Sequence, residues 1–508
     1  MRPLRCSGSF RSLAILVLGL AAPGAAAAQQ APATLTLEEA IALARRNNPE
    51  FLIQQNDEAE ADWAVREAYG ALLPSASIGG SLSYDAAGEQ RLGVFSSRDL
   101  GFGTTPAYLS SSYSIGVGYR LSADALFRPG QEKANRNATQ ARIQAAAFDL
   151  AAEVTRRYLA AVAARDGVAL ASQELERATE NLQLARARVA VGAAIALDAK
   201  QAEVERGRAE VELLRAENLL RTETLRLVET IGLELDREIE LTSRFDVFEP
   251  NWSTEALVEM ALARHPQLRA QRAQEKAAEA AVRMARSQYL PTLDLSMRWR
   301  GYAQEVADDD YLIERYRNDM EARYDQCMRN NDLVTRLNPP LPIEDCSRLV
   351  ADPTVEAQLL EENNVFPFDF AHQPFTATLS VSLPVFNGFT RERRVEAARV
   401  AAEDARLRVR AEELRLKTEV ASAHATLQAA YRAVTLESRN RELAGEQLEL
   451  ARERYRVGAI TFVDLTDAET RKSRADRAYL NAVYAFHEAL AALETAVGQN
   501  LRPRPGEE

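Results

Sequence analysis

One segment of this chain occurs twice, and its composition predicts a helix that ends, turns and returns. Residues 188–203 read RVAVGAAIALDAKQAE, and residues 454–469 read RYRVGAITFVDLTDAE. At a constant offset of 266, identical residues fall opposite one another in the two copies: Val191, Gly192, Ala193, Asp198 and Glu203 opposite Val457, Gly458, Ala459, Asp464 and Glu469. Glycine tolerates the left-handed dihedrals that end helices, and a carboxylate early in the returning helix suits the positive end of its dipole. The repetition predicts tandem halves that end in the same kind of tip.

Apolar residues spaced seven apart lead into each tip. They are Val154, Ala161, Val168, Leu175, Leu182 and Val189 in the first half, and at the same offset the second half has Val420, Leu427, Val434, Arg441, Leu448 and Tyr455, all apolar or aromatic except Arg441. A strict seven-residue repeat predicts left-handed supercoiled pairing. The 60 residues from about Glu132 to Val191 would span roughly 90 Å as a helix. A fibrous coiled coil is an alternative, but it does not explain the strands described next.

A second set of landmarks is duplicated at an offset of 217. Thr36 and Glu39 form a capping-box pattern, and Asn48-Pro49 marks the start of a second helix; Ser253 and His265-Pro266 repeat the arrangement. The dipeptides Leu73-Pro74 and Leu290-Pro291 follow at the same offset. Because proline disfavours helical geometry in the preceding residue, both helices should end there and pass into extended chain.

Four segments alternate between apolar and polar residues, which predicts strands with one apolar face. The apolar sets are Ala76, Ile78, Gly80, Leu82 and Tyr84; Tyr113, Ile115, Val117, Tyr119 and Leu121; Leu293, Leu295, Met297 and Trp299; and Phe375, Ala377, Leu379, Val381 and Leu383. About nine residues is the length of a tilted membrane-spanning strand. A half-exposed sheet on a soluble domain is the alternative. Aromatic residues at the strand ends and the predicted signal segment favour the membrane.

The first 28 residues have the features of a secretory signal. Three arginines precede an apolar run at 13–20, and the segment ends in an A-x-A pattern, so cleavage is expected near Ala28 and the mature chain should begin at Gln29. Cys6 precedes the apolar run, which argues against a lipid anchor at the mature N-terminus. Removal of the arginines changes the formal net charge from −12 to −15. Such an acidic protein is a poor nucleic-acid binder.

The connection between the third and fourth strands is long. The offset between halves rises from 217 to 262 across it, so the second connection, predicted as an extracellular loop over 301–374, has 45 additional residues. It contains Asp308, Asp309 and Asp310 and both cysteines of the mature chain, Cys327 and Cys346. In an oxidising compartment a disulfide between them is favoured over two free thiols.

The sequence thus predicts a mixed α and β fold built from two repeats. The predicted segments are a signal peptide at 1–28; a first repeat at 29–250 with helices 36–72, strands 75–84 and 113–121 and a helical hairpin 131–232; a second repeat at 251–500 with helices 253–289, strands 292–300 and 375–383 and a hairpin 389–498; and a tail at 501–508. Four antiparallel strands cannot close a membrane barrel, so several chains must contribute.

This arrangement, with Val-Gly-x5-Asp in both tips, resembles the TolC family of trimeric outer-membrane efflux proteins over essentially the whole mature sequence. The resemblance implies a homotrimer in which four strands per chain build a twelve-stranded barrel in outer-membrane lipid. It further implies a helical tunnel across the periplasm. The partners implied are a periplasmic adaptor protein and, through it, an inner-membrane pump.

The resemblance also assigns roles to residues that match the family's tip motif. Asp464 and Asp467 match an inward-facing ring of aspartates at the periplasmic entrance. Tyr455 and Asp198 match two members of a polar latch that keeps the entrance shut, whereas the latch arginine of the family falls at Ile460. The residues that match the adaptor-contacting tips are Val191, Gly192, Val457 and Gly458.

An enzyme is not indicated, because the four histidines are far apart and no metal-binding or phosphate-binding motif is complete. We therefore expect no catalytic residues, no cofactor and no metal. Two classes of function remain: an export duct, or a periplasmic coiled-coil scaffold or adaptor without a pore. Within the first class, efflux of drugs or small molecules by an RND-type pump is favoured, and type I protein secretion is the alternative.

Overall fold

The computed structural model describes residues 34–89, 91–96, 105–234, 239–243, 245–339 and 341–502. The predicted signal peptide and its cleavage site lie outside these residues. The helices are α1 Leu37–Asn47, α2 Pro49–Gly70, α3 Ala123–Ala190, α4 Ala196–Ile231, α5 Thr254–Arg264, α6 Pro266–Ser287, α7 Asp309–Thr335, α8 Pro353–Asn363, α9 Thr390–Arg456 and α10 Phe462–Val497. The strands are β1 Thr34–Leu35, β2 Ser75–Asp85, β3 Arg91–Leu92, β4 Phe95–Ser96, β5 Tyr108–Leu121, β6 Glu240–Leu241, β7 Thr292–Val306, β8 Ala371–His372 and β9 Thr376–Ser382.

The starts of the short helices follow from local capping chemistry. The predicted capping box is confirmed: the Thr36 side chain accepts a hydrogen bond from the Glu39 amide, and the Glu39 carboxylate accepts one from the Thr36 amide. Asn48 caps α2 with Pro49 in the first turn. Ser253 caps α5 in the same way, but His265 makes no side-chain cap bond to α6.

Two very long helices, α3 with 68 residues and α9 with 67, form antiparallel hairpins with α4 and α10. Helix α3 begins at Ala123, eight residues before the start predicted for the hairpin. Pro129 lies in its second turn. A proline near the start of a helix removes few main-chain hydrogen bonds, so the helix continues through it. Among the described residues, no helix is both long and apolar enough to cross a membrane.

Helix α3 changes neighbours along its length. Near the sheet the helices contact in the order α2, α3, α6, α9, and towards the tips in the order α4, α3, α10, α9. The exchange takes place where the duplicated short helices pack. There Tyr158 of α3 is fully buried and donates a hydrogen bond to the Leu35 carbonyl at 2.7 Å. The apolar cores are consequently narrow, and both edges of the helical layer remain open.

The four long strands pair antiparallel in the order β2, β5, β7, β9. Ile78 pairs with Ile115, and Ile115 pairs with Trp299. Because directly paired residues point to the same face of a sheet, the predicted apolar sets lie together on one face. Strands β5 and β7 are longer than predicted, beginning at Tyr108 and ending at Val306 respectively. Strands β2 and β9 are the free edges.

The sequence predicts segment 301–374 as a loop, and this secondary-structure prediction is wrong because much of the segment is helical. Its first six residues continue β7, and α7, a 3₁₀ turn at Cys346–Arg348 and α8 follow. Asp308 caps α7, and Asp352 caps α8 with Pro353 in the first turn. These are ordinary helix-start signals. Cys327 and Cys346 form a disulfide with Cα atoms 5.9 Å apart, which joins α7 to the 3₁₀ turn.

Candidate functional site

Both duplicated segments form the helix ends predicted from their glycines. Gly192 and Gly458 have φ values of 77° and 82°. At the first tip, Gly192 donates to the Val189 carbonyl and Ala193 to the Arg188 carbonyl, at 3.0 and 2.8 Å. The second tip repeats both hydrogen bonds at the same distances. This Schellman arrangement ends each helix and leaves the adjoining valine side chain in solvent.

The two returning helices start differently. Ile195 precedes α4 without a side-chain cap, whereas Thr461 forms a full capping box with Asp464 at the start of α10. The Asp464 carboxylate accepts hydrogen bonds from the Thr461 amide at 2.9 Å and from its hydroxyl at 2.8 Å. These hydrogen bonds hold the pKa of Asp464 below its usual value. Asp464 is therefore ionised and exposed at the tip.

Asp467 lies one turn further along α10, on the same face as Asp464. Its carboxylate accepts a hydrogen bond from Arg471 at 2.9 Å, and this ion pair lies largely in solvent. Within one chain, each aspartate of the expected entrance ring thus has a partner on its own helix. Exposed pairs of this kind contribute little to stability, so both carboxylates remain available to the surrounding solution.

Tyr455 lies at the centre of the contact between the two tips and is 1% exposed. The Arg188 guanidinium lies 4.3 Å from its ring centroid. The same side chain donates hydrogen bonds to the main-chain carbonyls of Tyr455 and Ala193. Arg188 therefore ties the end of α3 to the end of α9. The sequence interpretation missed this role, because it was based on apolar spacing and on the family's tip motif.

The Tyr455 hydroxyl is buried and has no hydrogen-bond partner within the described chain. Burial raises the pKa of this phenol, the Arg188 charge lowers it, and the nearby Asp198 charge raises it. The expected latch residues Tyr455 and Asp198 are thus close enough to interact electrostatically. Ile460 is partly buried and packs against the apolar cluster of the tips. That cluster consists of Leu182, Ala185, Ala202, Leu448, Tyr455, Phe462 and Leu465.

A buried charge cluster lies above the tips, between α3, α9 and α10. Asp476 is 4% exposed in its side chain and pairs with Lys472, with Arg441 at 2.9 Å and with Arg177 at 3.4 Å. Burial opposes ionisation of Asp476, but hydrogen bonds from Lys472 and Arg441 outweigh it and lower the pKa. The cluster explains why Arg441 interrupts the apolar heptad: its guanidinium reaches a carboxylate on the neighbouring helix.

A family model described as outer membrane efflux protein matches residues 40–233 and 257–499. The two matched ranges cover both halves of the chain. The chain belongs to the outer membrane efflux protein family. This membership confirms the resemblance drawn from the duplicated tips. No curated protein matches the chain at a significant level.

Solved channel structures of the same architecture confirm the fold. The CmeC outer membrane channel of Campylobacter jejuni is 14% identical, with a TM-score of 0.66 over 91% of this chain and 85% of that one. The open-state MtrE outer membrane channel of Neisseria gonorrhoeae is 19% identical, with a TM-score of 0.64 over 92% and 89%. The outer membrane protein VceC of Vibrio cholerae is 16% identical, with a TM-score of 0.62 over 92% and 97%. At these identities the likeness shows a shared fold.

Proposed function

We propose that this efflux protein is a homotrimeric channel that forms the outer-membrane exit duct of a tripartite export system. The observation that carries this proposal is the sheet, whose four long strands form one apolar face, one polar face and two free edges. In lipid, unpaired strand edges leave backbone groups without hydrogen bonds. Pairing β9 of each copy with β2 of the next satisfies both edges and closes a barrel of twelve strands.

The helical layer supports the same assembly, because apolar side chains at seven-residue positions are exposed on both of its outer helices. On α4 these are Leu197, Val204, Val211 and Leu225, with Asn218 at the position between the last two, and on α9 they are Leu436, Leu443 and Leu450, all between 41 and 66% exposed. Seven-residue apolar spacing is the pattern of paired helices. Helices α4 and α9 lie at opposite edges of the helical layer near the tips. In the proposed trimer, α4 of one copy therefore packs against α9 of the next.

The tips are the proposed docking site for a periplasmic adaptor, which would connect the duct to an inner-membrane pump. Val191 and Val457, each next to the tip glycine, are 78% and 76% exposed. Their small apolar side chains are accessible to a partner. Asp464 and Asp467 form the proposed entrance ring. Tyr455, whose hydroxyl lacks a partner in one chain, and Asp198 belong to the proposed latch.

A drug or small-molecule efflux system of the RND type is the favoured context. Type I protein secretion would use the same duct, since the pump selects the substrate. A periplasmic scaffold without a pore is disfavoured, because the apolar face of the sheet is exposed in the chain. On this face Ile78 is 83% exposed, Ile115 is 37% exposed and Trp299 is 40% exposed. Such an apolar sheet face needs lipid or protein to cover it.

Native mass spectrometry of the detergent-solubilised protein, followed by planar-bilayer recording, tests the proposal. A trimer of chains that begin at Gln29 and conduct ions is the expected result. Val204→Glu with Val211→Glu should weaken the trimer, whereas the control Glu205→Gln, on the same helix, should not. A stable, non-conducting monomer of the wild type would exclude the duct and favour the scaffold.

A further inference from the structure

The polar face of the sheet carries an unusual distribution of charge. Directly paired residues share a face, so the register assigns to this face Ser75, Ser77, Gly79, Ser81 and Ser83 of β2, Ser110, Ser112, Ser114, Gly116, Gly118 and Arg120 of β5, Asp294, Ser296, Arg298 and Arg300 of β7, and Thr376, Thr378, Ser380 and Ser382 of β9. Nearly all of these side chains are small. The same register also places Tyr302, opposite Ser112, and Gln304, opposite Ser110, on this face. Between Asp294 and Tyr302, the large side chains of β7 on this face are Arg298 and Arg300.

Two of these arginines lie midway along β7. Arg298 is flanked by Gly116 on β5 and Thr376 on β9, and Arg300 by Ser114 on β5. Both side chains are exposed, and neither has an ion pair within the described residues. They are two residues apart on one face, which places their Cα atoms about 7 Å apart. Their small neighbours leave both guanidinium groups free to extend away from the sheet.

Carboxylates on the polar face are placed where they do not neutralise this pair. Asp294 is bound to Arg120 near the helical end of the sheet. Asp85 is opposite Tyr108, which pairs with Val306. Val306 is eight residues beyond Arg298, or roughly 27 Å along the strand. Among the described strands, the middle of the polar face therefore has uncompensated positive charge.

We propose that Arg298 and Arg300 form an anion-binding band inside the barrel, which favours export of molecules that carry carboxylate or phosphate groups. The inference rests on the proposed trimeric duct, in which the apolar face meets lipid and the polar face lines the passage. Three chains contribute six guanidinium groups at one level. A planar guanidinium binds carboxylate and phosphate with two hydrogen bonds, and clustered positive charge raises the local concentration of anions.

The neighbouring copy does not supply a counter-charge in the proposed assembly. The strand that would pair with β9 is the neighbour's β2, whose polar face offers only serine and glycine from Ser75 to Ser83. The band also lies at the opposite end of the molecule from Asp464 and Asp467. The duct would then have an acidic entrance and a basic middle section of the barrel, and each should respond to multivalent ions of opposite sign.

Single-channel recording with citrate as the probe tests the band. Protein added to one chamber should insert with the barrel leading, because the hydrophilic helices cannot cross the bilayer, so the far chamber faces the barrel mouth. Citrate in that chamber should block the wild type. In Arg298→Gln with Arg300→Gln, the half-blocking concentration should rise about tenfold or more, since citrate would lose charge-assisted hydrogen bonds to both guanidinium groups. The reversal potential in a KCl gradient should shift towards cation preference.

The matched control is Arg45→Gln with Arg46→Gln, which removes the same charge from exposed positions in the last turn of α1. Its citrate block should equal that of the wild type. Unchanged citrate block in a trimeric, conducting Arg298→Gln and Arg300→Gln variant would overturn the anion band and leave the duct intact. A wild-type trimer that does not conduct would overturn the duct itself and, with it, the placement of these arginines in a lumen.

Discussion

At the scale of single residues, the two tips differ more than their shared sequence suggests. Arg188 and Arg454 occupy equivalent positions in the repeat. The Arg188 side chain bonds to two main-chain carbonyls and stacks on Tyr455, whereas the Arg454 side chain is exposed and has no hydrogen bond or ion pair within the described chain. Heptad spacing was sufficient to predict the burial of Tyr455. It could not predict Arg188, because that contact depends on how the two hairpins lie against each other.

The Arg188→Ala variant should loosen the contact between the tips. The loss of a guanidinium that stacks on a ring and binds two carbonyls should cost about 1–3 kcal/mol locally. Hydrogen exchange measured by mass spectrometry should show faster exchange at 188–195 and 453–460. Arg454→Ala is the matched control, with little change expected. Equal protection in both variants would show that Arg188 does not hold the tips together.

His487 should make the protein less stable in mild acid. Burial, followed by the nearby positive charge of Arg502, lowers the pKa of His487 to about 4. An unfolded histidine has a pKa of about 6.5, so the unfolded chain binds the proton more readily between these values. Stability should therefore be complete above pH 6.5 and fall by up to about 3 kcal/mol as the pH approaches 4.

Thermal unfolding of the trimer between pH 4 and 8 measures this effect. The His487→Gln variant should lose most of the dependence, because glutamine does not titrate. Glu494 is buried nearby, and burial raises its pKa, which gives a slope of opposite sign in the same range. The comparison is therefore between the wild type and the variant rather than with a calculated curve. Parallel curves for the two proteins would exclude His487 as the cause.

At the scale of elements, the sequence predicted what depends on short-range chemistry and periodicity. The four strands and the glycine helix ends follow from alternation and from left-handed dihedrals. The helices between β7 and β9 were missed, although Asp308 and Asp352-Pro353 carry start signals. Helix α7 is polar on most of its surface and packs mainly against its own insert, on α8 and the 3₁₀ turn. It thus lacks the apolar stripe from which helices are recognised in sequence.

The charge cluster between α3, α9 and α10 should be sensitive to which member is removed. In Asp476→Asn, three cations would remain in a mostly buried position without a carboxylate, so we expect a loss of about 3–5 kcal/mol. Arg441→Leu restores the apolar heptad and leaves Asp476 with Lys472 and Arg177, so a loss below about 2 kcal/mol is expected. Urea unfolding of the detergent-solubilised proteins gives both values. A smaller loss for Asp476→Asn than for Arg441→Leu would contradict this account.

The disulfide should stabilise the insert between β7 and β9 and contribute little to the rest of the molecule. Cys327 and Cys346 are 19 residues apart, for which the chain-entropy estimate is about 3 kcal/mol. Cys327→Ser with Cys346→Ser should speed proteolysis within the insert and leave trimer melting unchanged. Thiol labelling of the denatured, unreduced wild type should modify no cysteine in the mature chain. Two labelled thiols per chain would exclude the bridge.

At the scale of the whole molecule, one chain has surfaces that need neighbouring copies to cover them. The sheet has two free edges, and the helical layer exposes apolar heptads on α4 and α9. The sequence predicted this incompleteness, because four strands cannot close a membrane barrel. It could not predict the exchange of partners along α3, since helix neighbours are set by contacts between residues that are distant in sequence. That exchange lets one continuous helix take part in both the helical layer near the sheet and the layer that leads to the tips.

The entrance ring is a prediction about the assembled trimer. Three-fold symmetry would bring six carboxylates from Asp464 and Asp467 around one passage, where they should attract cations and be blocked by multivalent ones. Within one chain, however, Asp464 accepts hydrogen bonds from Thr461 and Asp467 pairs with Arg471. The alternative is that both residues only stabilise the start of α10. Substitution by asparagine retains the hydrogen-bonding shape and removes the charge, so it separates the two roles.

In planar bilayers, hexaamminecobalt(III) added to the chamber that faces the tips should block the wild type. Asp464→Asn with Asp467→Asn should weaken this block about tenfold or more and reduce cation preference, while citrate block from the barrel side stays the same. The control Glu255→Gln with Glu259→Gln removes equal charge from exposed positions on α5 and should behave as the wild type. If the aspartates only stabilise α10, the melting temperature of the variant falls and its block by hexaamminecobalt(III) is unchanged, which would place the acidic entrance at other residues.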